Sequence, residues 1–507
     1  LNPSFRKEMP AGAGFGHDSK SVDAPRLTPA NFPAPCTPKI GEAVMRKFLV
    51  PAFLLLVSSA TAQPAIPDTA MGRTLSDYLA AFNSGDSARI DAFKTAHHYG
   101  VKTEDEMRFF HFSGGFTLLK VESSDATSIV GLAQEKQSDT VARFTISEAG
   151  TADAPKLSVS FRAIERPADY AIPRVPQADA LKALEDRAGA AEKKNEFSGA
   201  YLIARDGKIL AAKAFGWEDR ETGRKATLDT KFRIGSMNKM FTAVATLQLV
   251  AAKKLSLDGT VGTYLPDYPN KEIAQKVTVR MLLTHTGGTG DFFGPEFDAN
   301  RLSLKNHADY VALFGARAPR FAPGSRDAYS NYGFLLLGNI IEKVSGQSYY
   351  DYVAEHIFAP AGMKNTGSAP EEEIVPHRAA PYTWKDGWIS AADTLPYRGM
   401  SAGGGYSTAG DFLKFAEGLR TEKLLPGRLV ADASTPHNHN GTYGYGFSVI
   451  GKGPLLHFGH NGGAPGQNGD LQIYPALGVV IIALSNFDPP AATILSDYYA
   501  NRMPAAR

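Results

Sequence analysis

Ser236-Met237-Asn238-Lys239 places a hydroxyl and an amine three residues apart at the start of an apolar, helix-like run over 234–249. At that spacing both side chains face the same side of one helical turn. The N-terminus of a helix carries partial positive charge and unpaired N–H groups, which favour developing negative charge on a serine oxygen. A lysine whose amine is kept neutral by burial can take the hydroxyl proton. Four residues therefore contain a nucleophile and a base. The spacing alone discriminates poorly, since about two S-x-x-K matches are expected by chance in a chain of this length. The sequence has two, the other being Ser4-Phe5-Arg6-Lys7. That second match sits in a Pro- and Gly-rich stretch without helical period. Ser236 sits where a strand-like run over 230–234 meets a helix, which is the context the chemistry needs.

Two further motifs could complete a site. Tyr329-Ser330-Asn331 supplies a phenol and an amide, although Y-x-N recurs at Tyr268 and Tyr499. His460-Asn461-Gly462-Gly463 supplies an imidazole and two glycines, although H-x-G recurs at His285 and His457. Their order and neighbourhoods discriminate where the motifs do not. His285 is expected to be a structural hydrogen-bonding group behind a sheet. His97-His98, and His437 with His439, lack ligand company at useful spacing, so no metal is assigned and no cofactor is expected. Gly403-Gly404-Gly405 lacks the spacing of a phosphate loop, and Thr408 with Asp411 reads as a capping box. Trp384 and Trp388 fit either the rim of a site or ordinary packing.

These groups need elements to hold them. Leu75, Tyr78, Leu79 and Phe82 have helical spacing, and Ile90 with Phe93 continues a second helical stretch. Strand-like runs follow over 116–121, 128–133, 141–146 and 157–164, the last alternating apolar with polar residues. Residues 68–165 are thus expected to form a small α+β domain, loosely similar to the cone-shaped nuclear-transport-factor-2-like fold. Pro167, Pro173 and Pro176 mark 166–177 as a linker. A helix through Leu181, Leu184 and Ala188 comes next. A hairpin then runs over 200–215, turning at Asp206-Gly207. Strands are expected over 443–449, 455–458, 471–474 and 479–484, with a last helix from about Ala491. The fold class is therefore α+β: an antiparallel sheet built from both ends of 178–507, with a helical insertion between.

The motifs together resemble the serine β-lactamase and penicillin-binding-protein-like superfamily, in its class C-related branch. The matching text is Phe232-Arg233-Ile234-Gly235-Ser236-Met237-Asn238-Lys239, then Leu282-Leu283-Thr284-His285-Thr286-Gly287-Gly288, then Pro323-Gly324 ahead of Tyr329-Ser330-Asn331. Ser401-Ala402-Gly403-Gly404-Gly405 and Gly459-His460-Asn461-Gly462-Gly463 complete it, over roughly 178–500. The resemblance implies a β-lactamase/transpeptidase-like domain in which Ser236 is acylated and Lys239 and Tyr329 share the base work. It further implies that Asn331 positions the lysine and a substrate amide, and that the N–H groups of Ser236 and Gly463 form an oxyanion hole beside Gly462. Lactamases carry lysine where this chain has His460. A histidine near its ordinary pKa of about 6.5 is mostly neutral at pH 7, which suits relatives acting on esters or D-amino-acid peptides. The expected substrate is a small ester, D-peptide or β-lactam. The alternatives are a true β-lactamase or a penicillin-recognising sensor with little turnover.

The chain of 507 residues carries a net charge of +2, so nothing points to nucleic acid. Met45-Arg46-Lys47, a short apolar run and Ala60-Thr61-Ala62 have the order of a secretory signal over 45–62, too short to span a bilayer comfortably. Residues 1–44 read as an unstructured leader or upstream extension. Cleavage after Ala62 would remove the single cysteine, Cys36, which suits an oxidising periplasmic or secreted setting.

Overall fold

A computed structural model describes residues 64–151 and 154–506. The expected leader and signal lie outside the described residues. Residues Ala65–Arg507 form one compact unit.

Its N-terminal part begins with α1 (Ala70–Phe82), α2 (Ser87–His97) and α3 (Thr103–Ser113), followed by the strands β1 (Phe116–Ser124), β2 (Ser128–Glu135), β3 (Val141–Thr151) and β4 (Ala154–Ile164). The four strands pair antiparallel in chain order. Thr69 and Asp86 cap α1 and α2 through their side chains. The buried stripe of α1, with Leu75, Tyr78 and Phe82, closes over Phe116, Phe144 and Ile146 of the sheet. Helix α3 carries no legible apolar stripe: its aromatic residues are only partly buried, and its two buried positions are polar, Glu106 and Ser113. Glu106 is held there by the phenols of Tyr78 and Tyr99, which donate to it at 3.2 and 2.6 Å. Those bonds offset the cost of burying a carboxyl group.

The rest of the chain contains α4 (Gln177–Lys193), β5 (Gly199–Arg205), β6 (Lys208–Phe215), α5 (Asn238–Ala251) and α6 (Asn331–Ser345). A short hairpin, β7 (Tyr382–Trp384) and β8 (Trp388–Ser390), precedes α7 (Ala409–Arg420). The chain ends with β9 (Ser448–Ile450), β10 (His457–Ala464), β11 (Gln467–Tyr474), β12 (Val479–Ser485) and α8 (Ala491–Arg502). The antiparallel sheet runs β9-β10-β11-β12-β5-β6, joining both ends of this region as expected. Of the run 443–449, only its last residues enter a strand, and β10 starts at His457 rather than Leu455.

The sheet is covered on both faces, so β12 and its neighbour β5 read as largely apolar runs rather than alternating ones, whereas β11 carries buried polar residues between them and β10. Leu202, Ile482 and Leu484 face α7 and share one core with α5 and α6, whereas Ile203, Val479 and Ile481 pack with α4 and α8 on the other face. Asp206 and Gly207 turn the β5–β6 hairpin with φ of 49° and 77°. Thr408 caps α7 by accepting from Asp411 N, but the reciprocal half of the expected box is missing. The Asp411 carboxylate instead accepts from Asn365 N and Thr366 Oγ1, tying a distant loop to the helix. No helix among the described residues is long and apolar enough to cross a membrane.

Candidate active site

Ser236 lies in a single 3-10 turn, Gly235–Met237, that leads directly into α5. Gly235 has φ +51°, and a Cβ there would stand 2.8 Å from Gly463 N. A Cβ on Gly462 would stand 2.0 Å from Ile234 O and 2.9 Å from Ser236 N. Only glycines let β10 cross so close to the serine turn. The backbones of Ser236 and Gly463 are thereby brought side by side.

Lys239 follows one turn later with its side chain fully buried. Its Nζ lies 3.1 Å from Ser236 Oγ and 2.7 Å from Asn331 Oδ1, and it donates to the carbonyl of Ala402. The same amine sits 4.8 Å from the centre of the Tyr329 ring. Burial lowers its pKa from 10.5 to about 7, with the nearby Asp291 carboxylate pulling the other way. Asn331 opens α6, whose N-cap, Ser330, accepts from Gly333 N. Tyr329 and Asn331 therefore flank a capped helix start, a rigid place to hold both. The sequence expectations for Ser236, Lys239, Tyr329, Asn331, Gly462 and Gly463 all fall within this one cluster.

His460 also points toward it, but differently from the expectation that it meets substrate. Its ring is buried, Nε2 lies 2.9 Å from the Tyr443 hydroxyl, and Nδ1 bonds the carbonyl of Asn461. An N–H on Nδ1 toward that carbonyl leaves Nε2 to accept from Tyr443, so both ring nitrogens are engaged within the protein. Burial first, then the charge of Lys239, lowers its pKa to about 3. His460 is thus neutral well below pH 7. His285 is not behind the sheet. Its ring packs 4.3 Å from that of Tyr329 and 4.6 Å from that of Tyr443, and its Nδ1 accepts from Ser330 N at 3.1 Å. It is a hydrogen-bonding group, as expected, but one that supports the Tyr329 segment from within the site.

The family model Beta-lactamase matches residues 181–502. Esterase EstB of Burkholderia gladioli is 31% identical over 46% of this chain and 68% of its own length. The chain belongs to the beta-lactamase family. Among solved structures, a penicillin binding protein from Bacillus halodurans is similar at 29% identity, with a TM-score of 0.57 over 64% of this chain and 99% of that one. A D-stereospecific amidohydrolase from Streptomyces sp. matches at 26% identity and TM-score 0.52, over 62% and 97%. The β-lactamase/transpeptidase-like fold expected from the motifs is the fold observed.

Three groups of this beta-lactamase-family site had no role assigned from the sequence, although Ala402 lies within the quoted Ser401–Gly405 text. The Ala402 carbonyl reaches Lys239 from a segment whose Gly404 N donates to Gly235 O at 3.1 Å. Tyr443 lies outside every motif. Asp291, three residues past the end of Leu282-Leu283-Thr284-His285-Thr286-Gly287-Gly288, accepts from Asn331 Nδ2 at 2.8 Å. Trp384 and Trp388 belong to packing: Trp384 stacks on His111 of α3 at 3.7 Å and Trp388 on Phe487 at 3.7 Å.

Proposed function

We propose that the protein is a serine hydrolase working through an acyl-enzyme on an ester or amide, without metal or cofactor. The observation that carries this reading is the buried Lys239 amine, with a pKa of about 7, at 3.1 Å from Ser236 Oγ. A neutral amine has two N–H bonds and one lone pair. Asn331 Oδ1 and Ala402 O take the two N–H groups, which leaves the lone pair for the Ser236 hydroxyl. Ser236 Oγ then bonds to the acyl carbon as its proton passes to Lys239. The negative oxygen that develops is met by the N–H groups of Ser236 and Gly463. The proton reaches the leaving alcohol or amine through Lys239 and Tyr329, and water releases the acid by the reverse path.

A neutral, saturated His460 gives no fixed cation for a substrate carboxylate. This supports esters or amides of D-amino acids over β-lactams, in keeping with the relatives named as esterase and D-stereospecific amidohydrolase. The relative named as a penicillin binding protein favours a second reading, acylation by β-lactams with little turnover. Both begin at Ser236. The test is to expose the protein to a fluorophosphonate and to a fluorescent penicillin, locate each adduct by mass, and compare kcat/KM for aryl esters, D-amino-acid amides and penicillins. An adduct on Ser236 with esters or amides turned over faster supports the first reading. Faster penicillin hydrolysis replaces it with a β-lactamase, and no adduct on Ser236 removes both. Export is part of the proposal, on the signal-like order over 45–62. Sequencing the protein recovered from the cell envelope is expected to begin at Gln63.

A further inference from the structure

We infer that Asp291 is a positioning residue for Lys239, acting by fixing which end of the Asn331 amide faces the amine; this rests on the acyl-enzyme reading above. An asparagine side chain has an acceptor end and a donor end of nearly the same shape, so its neighbours decide its orientation. Asn331 has two such neighbours. Lys239 Nζ is 2.7 Å from Oδ1, and the Asp291 carboxylate is 2.8 Å from Nδ2. An ionised carboxylate is an acceptor only, so it admits the N–H₂ end and excludes the oxygen end. With Asp291 in place the oxygen must face the lysine.

That orientation matters because of the lone pair. A reversed amide would point an N–H at Nζ. The amine would answer by turning its lone pair toward Asn331 and an N–H toward Ser236. The base would then face the wrong partner, with every residue still in place.

The loop carrying Asp291 is itself pinned to the Tyr329–Asn331 segment. Thr289 Oγ1 and Ser330 Oγ lie 2.8 Å apart, and Ser330 Oγ donates to the carbonyl of Gly290. Asp291 also accepts from Phe292 N at 2.8 Å, which fixes its own rotamer. The carboxylate is mostly buried. Burial raises its pKa, and the Asn331 amide, the Phe292 N–H and Lys239 pull it down. The titratable or charged groups facing Lys239 are Asp291, Tyr329, His285 and His460, and the two histidines are held neutral by burial. Asp291 is therefore the only anion near the amine at neutral pH among these groups. It has a second, separable effect: its charge holds the lysine pKa up.

The experiment measures the second-order rate of fluorophosphonate labelling at Ser236 as a function of pH. In the unaltered protein the rate should rise with a half-point near pH 7, where Lys239 loses its proton. Asp291→Ala should lower the plateau by roughly tenfold to a hundredfold, the cost of a misdirected catalytic group. It should also move the half-point to lower pH, because the neighbouring negative charge is gone. Asp291→Asn can still accept from Nδ2 in one of its two orientations, so it should lose less of the plateau and show the same downward shift. In an Asn331→Ala background, adding Asp291→Ala should cost no more than Asn331→Ala alone, because the residue acts through that amide. Folding of each variant is checked by its melting transition, and the Asn variant preserves shape where the Ala variant does not. An unchanged plateau or half-point in both single variants overturns the inference, as do losses that multiply in the double variant. Absence of labelling in the unaltered protein overturns the acyl-enzyme reading and this inference together.

Discussion

Lys239 holds the most consequential group of the site. In the proposed reaction its free amine receives a proton, and burial is what frees it near neutral pH. Activity is therefore expected to rise with pH through about 7, the protonated amine below that value being unable to act as base. A pH–rate profile of kcat/KM for an aryl ester checks this. Ser236→Ala should abolish the acyl-enzyme while changing stability by about 1 kcal/mol, the scale of one lost hydrogen bond. Intact-mass labelling and a melting curve on the same sample measure both. Lys239→Ala and Tyr329→Phe should each cost orders of magnitude, and combine without adding.

His460 invites a different expectation from the one its motif suggests. Substituting lysine to imitate a lactamase would place a cation in a buried space beside Lys239, where Tyr443 and the Asn461 carbonyl fit an imidazole. A buried charge without an opposite partner costs several kcal/mol. His460→Lys should therefore melt at lower temperature before any change in substrate preference is seen. A variant that melts like the unaltered protein would mean the pocket hydrates or opens.

At the scale of elements, β11 and α8 are joined by an acidic cluster facing away from Ser236. Asp470 is buried, accepts from Gln472 Nε2 at 2.8 Å and from Ser496, and has Asp497 close by. Burial first, then Asp497, raises its pKa. In the unfolded chain the same carboxyl group ionises at its ordinary value, so over the window between the two values unfolding releases a proton. Stability contributed at this position is present below the ordinary pKa and is lost as pH rises toward the folded value. Asp470→Asn keeps an acceptor for both partners and cannot ionise. It should raise the melting temperature at about pH 8 and have little effect at about pH 4.

Over the whole molecule, the N-terminal helices and meander are packed on the hydrolase region rather than trailing from it. His111 of α3 stacks on Trp384 with rings 4° from parallel, and Arg108 stands 4.0 Å from the buried Asp488. Asp488 in turn accepts from Thr383 Oγ1, Trp384 N and Gly466 N, the last in the β10–β11 turn just past Gly463. A path of direct contacts thus leads from α3 to the strand bordering the candidate site. A double-mutant cycle of His111→Ala and Trp384→Ala should give a coupling of about 0.5–1.5 kcal/mol in denaturant unfolding, the usual worth of a stacked pair. Additive losses would show that the stack holds nothing.

What was legible in the sequence was whatever depends on residues close along the chain. Leu75, Tyr78 and Phe82 mark a helix because burial of one face requires that spacing, and Asp206-Gly207 marks a hairpin because its turn requires positive φ. The order of the motifs was enough to name the fold class. The chemistry of the site was not local in the same way. Lys239 is an ordinary lysine until Asn331, 92 residues away, and Ala402, 163 away, close around it and exclude water. His460 looks available in its motif and is occupied only because Tyr443 lies across from it. Side-chain type and spacing along the chain decided which groups could react. Desolvation and hydrogen-bond partners decided which protonation state each one holds, and those arise only when distant segments pack together.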